Sequence, residues 1–184
     1  MRVIAGALKG RRLTPPTWEG LRPTSDRLRE TLFNVLASRM PGAAVFDGFA
    51  GTGAVGIEAL SRGARSVAFV DRDRRATALI AANLAACGVQ DGYTIRCDDV
   101  ARVLGRWPAD EPFDLILLDP PYDIEDVAPV FDAAARVLRP DGVVVLERAT
   151  RRGPEVGSAL AHVRDVRSGD STLSIYAPRG DDAR

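Results

Sequence analysis

With 184 residues, 25 basic and 25 acidic side chains and a single histidine, the chain has the length for one domain with a substantial core, and it carries no net charge. No apolar run approaches the ~18 residues that a bilayer span needs, the N-terminus lacks a signal-peptide apolar core, and the only cysteines, Cys87 and Cys97, sit in no metal-ligand spacing. These features argue against a membrane protein, a disulfide scaffold and a zinc site, and they predict a cytoplasmic protein without metal. The neutrality hides an asymmetry: residues 1–39 hold eight Lys or Arg against three acids, a local charge of +5 that leaves −5 for the rest. A basic arm for a polyanion on an acidic body has this charge pattern, although a solvated basic face has it too.

In chain order, Arg2-Val3-Ile4-Ala5-Gly6 and Arg11-Arg12-Leu13 flank the turn-like Ala7-Leu8-Lys9-Gly10, which predicts a small basic hairpin broken by Pro15-Pro16. Residues 1–20 are read as this arm and 21–184 as the main domain. Leu21 to Asp26 reads as a loop into a helix capped at Thr24 or Ser25 that runs to about Met40, with Leu28, Leu32, Phe33, Val35 and Leu36 on one face and Pro41-Gly42 as its stop.

From residue 43 the pattern alternates between strand and helix. The expected strands are Ala43–Asp47, Ser66–Asp71, Tyr93–Cys97, Phe113–Asp119 and Gly142–Glu147, and the expected helices are Ala54–Arg62, Asp73–Cys87 and Val127–Leu138. Alternation at these lengths implies a mainly parallel sheet covered on both faces, with right-handed crossovers. Val163–Arg167 and Thr172–Tyr176 around Ser168-Gly169-Asp170 predict a closing antiparallel hairpin, and the polar tail from Pro178 is expected to fray.

The chemistry is expected in the loops after these strands. Phe113 to Leu118 reads as a buried strand stopped abruptly by Asp119-Pro120-Pro121-Tyr122, because proline cannot donate to a sheet ladder. Ligands of open α/β sheets bind at that carboxyl edge, so a carboxylate, a rigid proline carbonyl and an aromatic ring there suit a planar, amine-bearing group. Gly51-Thr52-Gly53-Ala54-Val55-Gly56 is G-x-G-x-x-G between a strand and a helix, which by itself suggests a dinucleotide. Asp47 just before the loop would repel a pyrophosphate and suits a cationic ligand end. Asp71, at the end of the second strand, is placed to accept from a ribose diol, and Asp98-Asp99 after the third strand offers an acceptor for an adenine amino group. Phe49 either lines the cofactor pocket or packs in the core. His162 is read as structural.

These features together resemble the class I S-adenosylmethionine-dependent methyltransferases. The closer resemblance runs over Arg2–Gly6, Leu21-Arg22-Pro23-Thr24-Ser25-Asp26-Arg27 through Asn34, Phe46–Gly53, Ala59–Ala64 and Asp114–Tyr122, and in that order these motifs resemble the RsmD family. The resemblance implies a Rossmann-like fold with a seven-stranded, mostly parallel sheet, helices on both faces and an antiparallel C-terminal hairpin. It implies methyl transfer from S-adenosyl-L-methionine to the exocyclic N2 of one guanine, guanine 966, in 16S rRNA of the small ribosomal subunit. In this reading Asp119, Pro120 and Tyr122 are catalytic, and Asp47, Phe49, Gly51, Thr52, Gly53, Asp71 and Asp99 bind cofactor. Arg22 and Thr24 close over the cofactor or bind an RNA phosphate. Arg2, Lys9, Arg11 and Arg12 contact RNA, and the enzyme acts as a monomer on the rRNA, within the subunit or an assembly intermediate. Thr52 and Asp71 stand where the family often has Ser and Glu, which keeps the hydroxyl and the carboxylate.

Two other functions use the same residues. An N6-adenine methyltransferase on DNA or RNA also needs D-P-P-Y, but 184 residues leave no room for a large target-recognition domain. A nicotinamide oxidoreductase shares G-x-G-x-x-G but here lacks an evident proton donor.

Overall fold

The structure is a computed structural model that describes residues 1–18, 25–121, 124, 126–151 and 154–179. Its elements are α1 (Asp26–Val35), a 3-10 turn (Ala37–Arg39), β1 (Ala44–Gly48), α2 (Ala54–Ser61), β2 (Ser66–Asp71), α3 (Arg74–Ala86), β3 (Tyr93–Cys97), α4 (Val100–Arg106), β4 (Phe113–Leu118), α5 (Ala128–Val137), β5 (Leu138–Ala149), β6 (Leu160–Ser168) and β7 (Ser171–Pro178). The seven strands form one sheet in the order β3-β2-β1-β4-β5-β7-β6. β1 to β5 pair in parallel, while β7 is antiparallel to both β5 and β6. This is the fold of the class I methyltransferases, including the expected closing hairpin.

Side-chain alternation divides the core into two layers. Val45, Leu115, Leu117, Val143 and Val145 face the layer of α1, α2 and α3, with Phe33, Ile57 and Ile80. Their strand neighbours Phe46, Ile116, Leu118 and Val144 face the opposite layer, with Leu104 of α4 and Val130 and Phe131 of α5. Each central strand is therefore buried on both faces, which is why β4 reads as an unbroken apolar run.

Two departures from the sequence reading have local causes. Helix α4 lies in a stretch that was expected to hold no element. It is short, yet Asp99 caps it by accepting the Arg102 N–H at 2.9 Å, and Val100 and Leu104, four apart, bury its inner face. Strand β5 begins at Leu138, immediately after α5, with a bulge where the register on β4 jumps from Phe113↔Leu138 to Leu115↔Val143. The first helix is capped by Ser25, whose hydroxyl accepts the Leu28 N–H, and gives way to the 3-10 turn before Met40.

The N-terminal hairpin closes through the Arg2↔Arg12 bridge, with Val3 N–H donating to the Arg11 carbonyl at 3.0 Å. It is fastened to the helices by buried polar side chains. The Glu58 carboxylate accepts the Ile4 and Ala5 N–H groups at 2.7 and 2.9 Å, and the Ser61 hydroxyl accepts from Leu8 N–H at 2.9 Å while donating to the Ala5 carbonyl. Asn83 of α3 accepts the Thr14 N–H at 2.8 Å and donates to the Thr52 carbonyl at 3.0 Å, so one side chain links the hairpin's end to the Gly-rich loop. Gly6 allows the approach: its φ is +83°, and a Cβ there would meet the Ser61 carbonyl oxygen at 1.8 Å. Val3 and Leu13 join the apolar core of the α1, α2 and α3 layer.

Candidate active site

The site forms where the parallel strands end. After β1 the chain makes the turn Gly48–Gly53, in which Gly51 and Gly53 have φ of 55° and 75° and Gly53 is the N-cap of α2. Gly56, the last glycine of G-x-G-x-x-G, lets α2 lie against β2, because a Cβ there would stand 2.2 Å from Phe69 Cε1. Phe49 is the one non-glycine residue of positive φ among those described, at 60°. A bulky side chain in that region costs about 1–3 kcal/mol, and such strain collects at ligand sites.

Asp47 is 4% exposed, and its carboxylate accepts the Gly56 N–H at 2.8 Å. Burial pushes its pKa up to about 8; the Gly56 N–H pulls it down, and the charges of Asp119 and Asp71 push it up further. A first-turn amide of α2 is thus occupied by the Asp47 carboxyl and is not free to bind a phosphate.

Asp71, at the end of β2, accepts the Gly51 N–H at 2.9 Å through one oxygen and the Asp73 N–H at 2.9 Å through the other. It holds the Gly-rich loop in place and keeps lone pairs free for a diol. Thr52 is buried, with its carbonyl bound by Asn83 and its hydroxyl 4.0 Å from the Met1 sulfur. Asp99 caps α4, and its neighbour Asp98 binds Arg102 at 2.8 Å. The Asp99 N–H and Arg102 hold the Asp98 carboxyl below the usual carboxylate range.

Two hollows open at this edge. The larger, about 250 Å³, is lined by Phe49, Asp98, Asp99, Ala101, Ile124 and Val130, beside the start of α4. The smaller, about 20 Å³ and of the order of one or two water molecules, is lined by Asp47, Asp119 and Glu147 with Leu32, Val55 and Leu173. Sheet order explains the second grouping: β1, β4 and β5 are neighbours, and Asp47, Leu117 and Val145 lie in register. Asp119 and Glu147 each stand two residues further along, and alternation turns them to the same face.

Asp119 is half-buried at the end of β4, its N–H directed at the Gly48 carbonyl at 3.4 Å, and Pro120 beside it is buried. Tyr122, Arg22 and Thr24 lie outside the described residues. Arg2, Lys9, Arg11 and Arg12 are exposed on the hairpin, and among the described residues none of the four forms an ion pair. They do not line either hollow. Among the described residues no helix is long and apolar enough to cross a membrane.

Glu147 was given no role by the sequence reading. Half-buried on β5, it accepts from the Ser171 hydroxyl at 3.3 Å, and burial followed by the charge of Asp119 pushes its pKa up to about 8. The signal that would have found it is simple: it ends the fifth expected strand as Asp47 and Asp119 end theirs.

Residues 1–177 match the family described as Conserved hypothetical protein 95. The Bacillus subtilis protein named "Putative rRNA methyltransferase YlbH" is 34% identical over 184 residues, an alignment covering 98% of this chain and 100% of that one. The Haemophilus influenzae protein named "Ribosomal RNA small subunit methyltransferase D" is 39% identical over 131 residues, covering 66% of this chain and 64% of its own length. Among solved structures, "Putative methyltransferase yhhF" from Escherichia coli superposes with a TM-score of 0.82 at 29% identity, covering 98% of this chain and 99% of that one. A match over nearly the whole length, on a shared fold, means that the chain belongs to the Conserved hypothetical protein 95 family, the RsmD family of methyltransferases.

Proposed function

We propose that this protein transfers a methyl group from S-adenosylmethionine to the exocyclic N2 of a guanine in 16S rRNA, in the small subunit or an assembly intermediate. The observation that carries this reading is the closure of the α2 N-terminus by Asp47. In a dinucleotide site that amide faces phosphate, whereas here the Asp47–Gly56 contact leaves an acidic pocket that fits an ammonium and a sulfonium. Asp71 at the end of β2 would hold the ribose diol. The hollow between Phe49, Ala101 and Val130 would take the adenine, with Asp99 and the unpaired first-turn amides of α4 as its polar contacts.

The cofactor supplies an electrophilic methyl group on a positively charged sulfur. The protein's part is to orient the acceptor. A guanine amine is a poor nucleophile because its lone pair is delocalised into the ring. Asp119 and the Pro120 carbonyl each accept one of its N–H groups, which favours the pyramidal nitrogen and turns its lone pair away from the ring. The methylated nitrogen is acidic, and its proton passes to Asp119 or to water. Tyr122 stacks on the base once it has left its own stack, a contact worth ~1–3 kcal/mol. The exposed Arg2, Lys9, Arg11 and Arg12 hold the RNA backbone.

Methyl transfer from labelled cofactor to small subunits, naked rRNA and DNA, followed by nucleoside analysis, tests this. N2-methylguanine in rRNA is the expected product. Methylated adenine would replace the base assignment, and absence of label on every substrate would overturn methyl transfer.

A further inference from the structure

The proposal concerns Glu147 and rests on the guanine-N2 reading of the site. Along the sheet edge the acids assigned to the cofactor end β1, β2 and follow β3, whereas Asp119 ends β4 and Glu147 lies beyond it on β5. Glu147 is therefore the acid of this edge furthest from β2 and β3, on the far side of Asp119. Alternation turns it to the same face as Asp119, and the two carboxyls line one hollow. One of its oxygens accepts from Ser171 at 3.3 Å; among the described residues the other, Oε2, has no hydrogen-bond partner. A half-buried carboxyl with an unused oxygen next to the atom that holds the substrate amine is placed to touch the substrate.

We propose that Glu147 is a base-specificity residue, which reads the Watson–Crick edge of guanine next to the amine held by Asp119. Beside N2 on that edge come N1–H, a donor, and O6, an acceptor. A neutral carboxyl offers the matching pair, its carbonyl accepting N1–H and its O–H donating to O6. Adenine held by its own amine presents an acceptor at N1 and only C–H beyond it, so it satisfies the O–H and leaves the carbonyl unpaired. The surroundings favour the neutral acid. The hollow is walled by Leu32 of α1, Val55 of α2 and Leu173 of β7, with Asp47 and Asp119 as its other titratable groups among the described residues. Arg148, the next residue on β5, is bound to Asp165 at 2.8 Å. Burial and the Asp119 charge hold the Glu147 proton until about pH 8.

The test compares Glu147→Gln, whose amide keeps one donor and one acceptor, with Glu147→Ala. Both are assayed on small-subunit RNA at saturating cofactor, which keeps Asp47 in its liganded state, and cofactor affinity is measured by calorimetry. Glu147→Ala is expected to lose ~10–100-fold in kcat/KM for RNA at unchanged cofactor affinity, the range for an unpaired buried hydrogen-bonding edge. Wild type is expected to decline in kcat/KM above about pH 8, and Glu147→Gln to stay within about threefold of wild type below that pH and to lack the decline. Wild-type kcat/KM in Glu147→Ala would overturn the proposal. So would a Gln variant as inactive as Ala, because charge and not donor–acceptor pattern would then be what matters. A wild-type product other than N2-methylguanine would overturn the reading beneath it, and nucleoside analysis of the unmutated enzyme separates that failure from the other two.

Discussion

The two halves of the sheet edge use carboxylates in opposite ways. On the β1, β2 and β3 side, Asp47, Asp71 and Asp99 each accept a backbone N–H, from Gly56, Gly51 and Arg102, so each acid also holds a loop or a helix terminus in shape. On the β4 and β5 side, Glu147 accepts only a serine hydroxyl among the described residues, and its pKa is raised by burial and then by the charge of Asp119. Acids of the first kind are preorganised by the backbone, and removing one costs structure as well as binding. Glu147, on the second side, holds no backbone amide among the described residues, so its removal is expected to cost chemistry more than structure.

The sharpest test of this contrast is Asp119. Asp119→Ala is expected to lower turnover at least ~100-fold, the usual cost of one well-placed transition-state hydrogen bond, with cofactor affinity and melting temperature close to wild type. Asp119→Asn keeps an oxygen acceptor without the charge. More activity in Asn than in Ala assigns the larger part to orientation, and equal inactivity assigns it to the carboxylate's charge or proton uptake. Near-wild-type transfer by Asp119→Ala would refute its catalytic role.

On the opposite half, Asp71→Ala is expected to weaken cofactor binding by ~1–3 kcal/mol in calorimetry and also to lower the melting temperature, since the Gly51 and Asp73 amides lose their acceptor. Weakened binding without any loss of stability would break the contrast.

A third region, the hairpin, belongs to neither half. Replacing Arg11 and Arg12 with Ala should leave cofactor affinity intact and weaken RNA binding. The dependence of log K on log salt should become shallower by ~0.7–0.9 per lost phosphate contact. An unaltered slope places the RNA elsewhere.

A last expected effect is on pH. Asp47 titrates near pH 8 in the folded protein against an unperturbed 3.8, so its contribution to stability is full below about pH 4 and is lost as pH rises to about 8. Asp47→Asn keeps the acceptor for Gly56 without the charge, and should flatten the fall in melting temperature of the ligand-free protein across that window. A parallel fall in both proteins would mean that Asp47 is ionised when buried.

Much of this was legible in the chain because it is local. The apolar run Phe113–Leu118 and the proline pair after it dictate a buried strand that ends at Asp119, and the glycines at 51, 53 and 56 dictate a tight turn with a helix close on a strand. Helix α4 escaped notice because seven residues with two buried apolar positions carry little periodicity, and because its cap, Asp99, also reads as a ligand.

The sequence by itself determined which residue types arrive at strand ends, since alternation and turn chemistry act over a few residues. Only the tertiary structure decided which of them meet. The order β1-β4-β5 is set by crossovers and packing between distant segments, and it puts Asp47, Asp119 and Glu147 around one hollow, where burial and then the charge of Asp119 raise the pKa of the other two. In the same way, nothing local marks Glu58, Ser61 and Asn83 as the groups that fasten the hairpin to the helices. Their partners in the hairpin are backbone amides and carbonyls more than 50 residues away, and burial makes those hydrogen bonds obligatory only once the chain has closed over them.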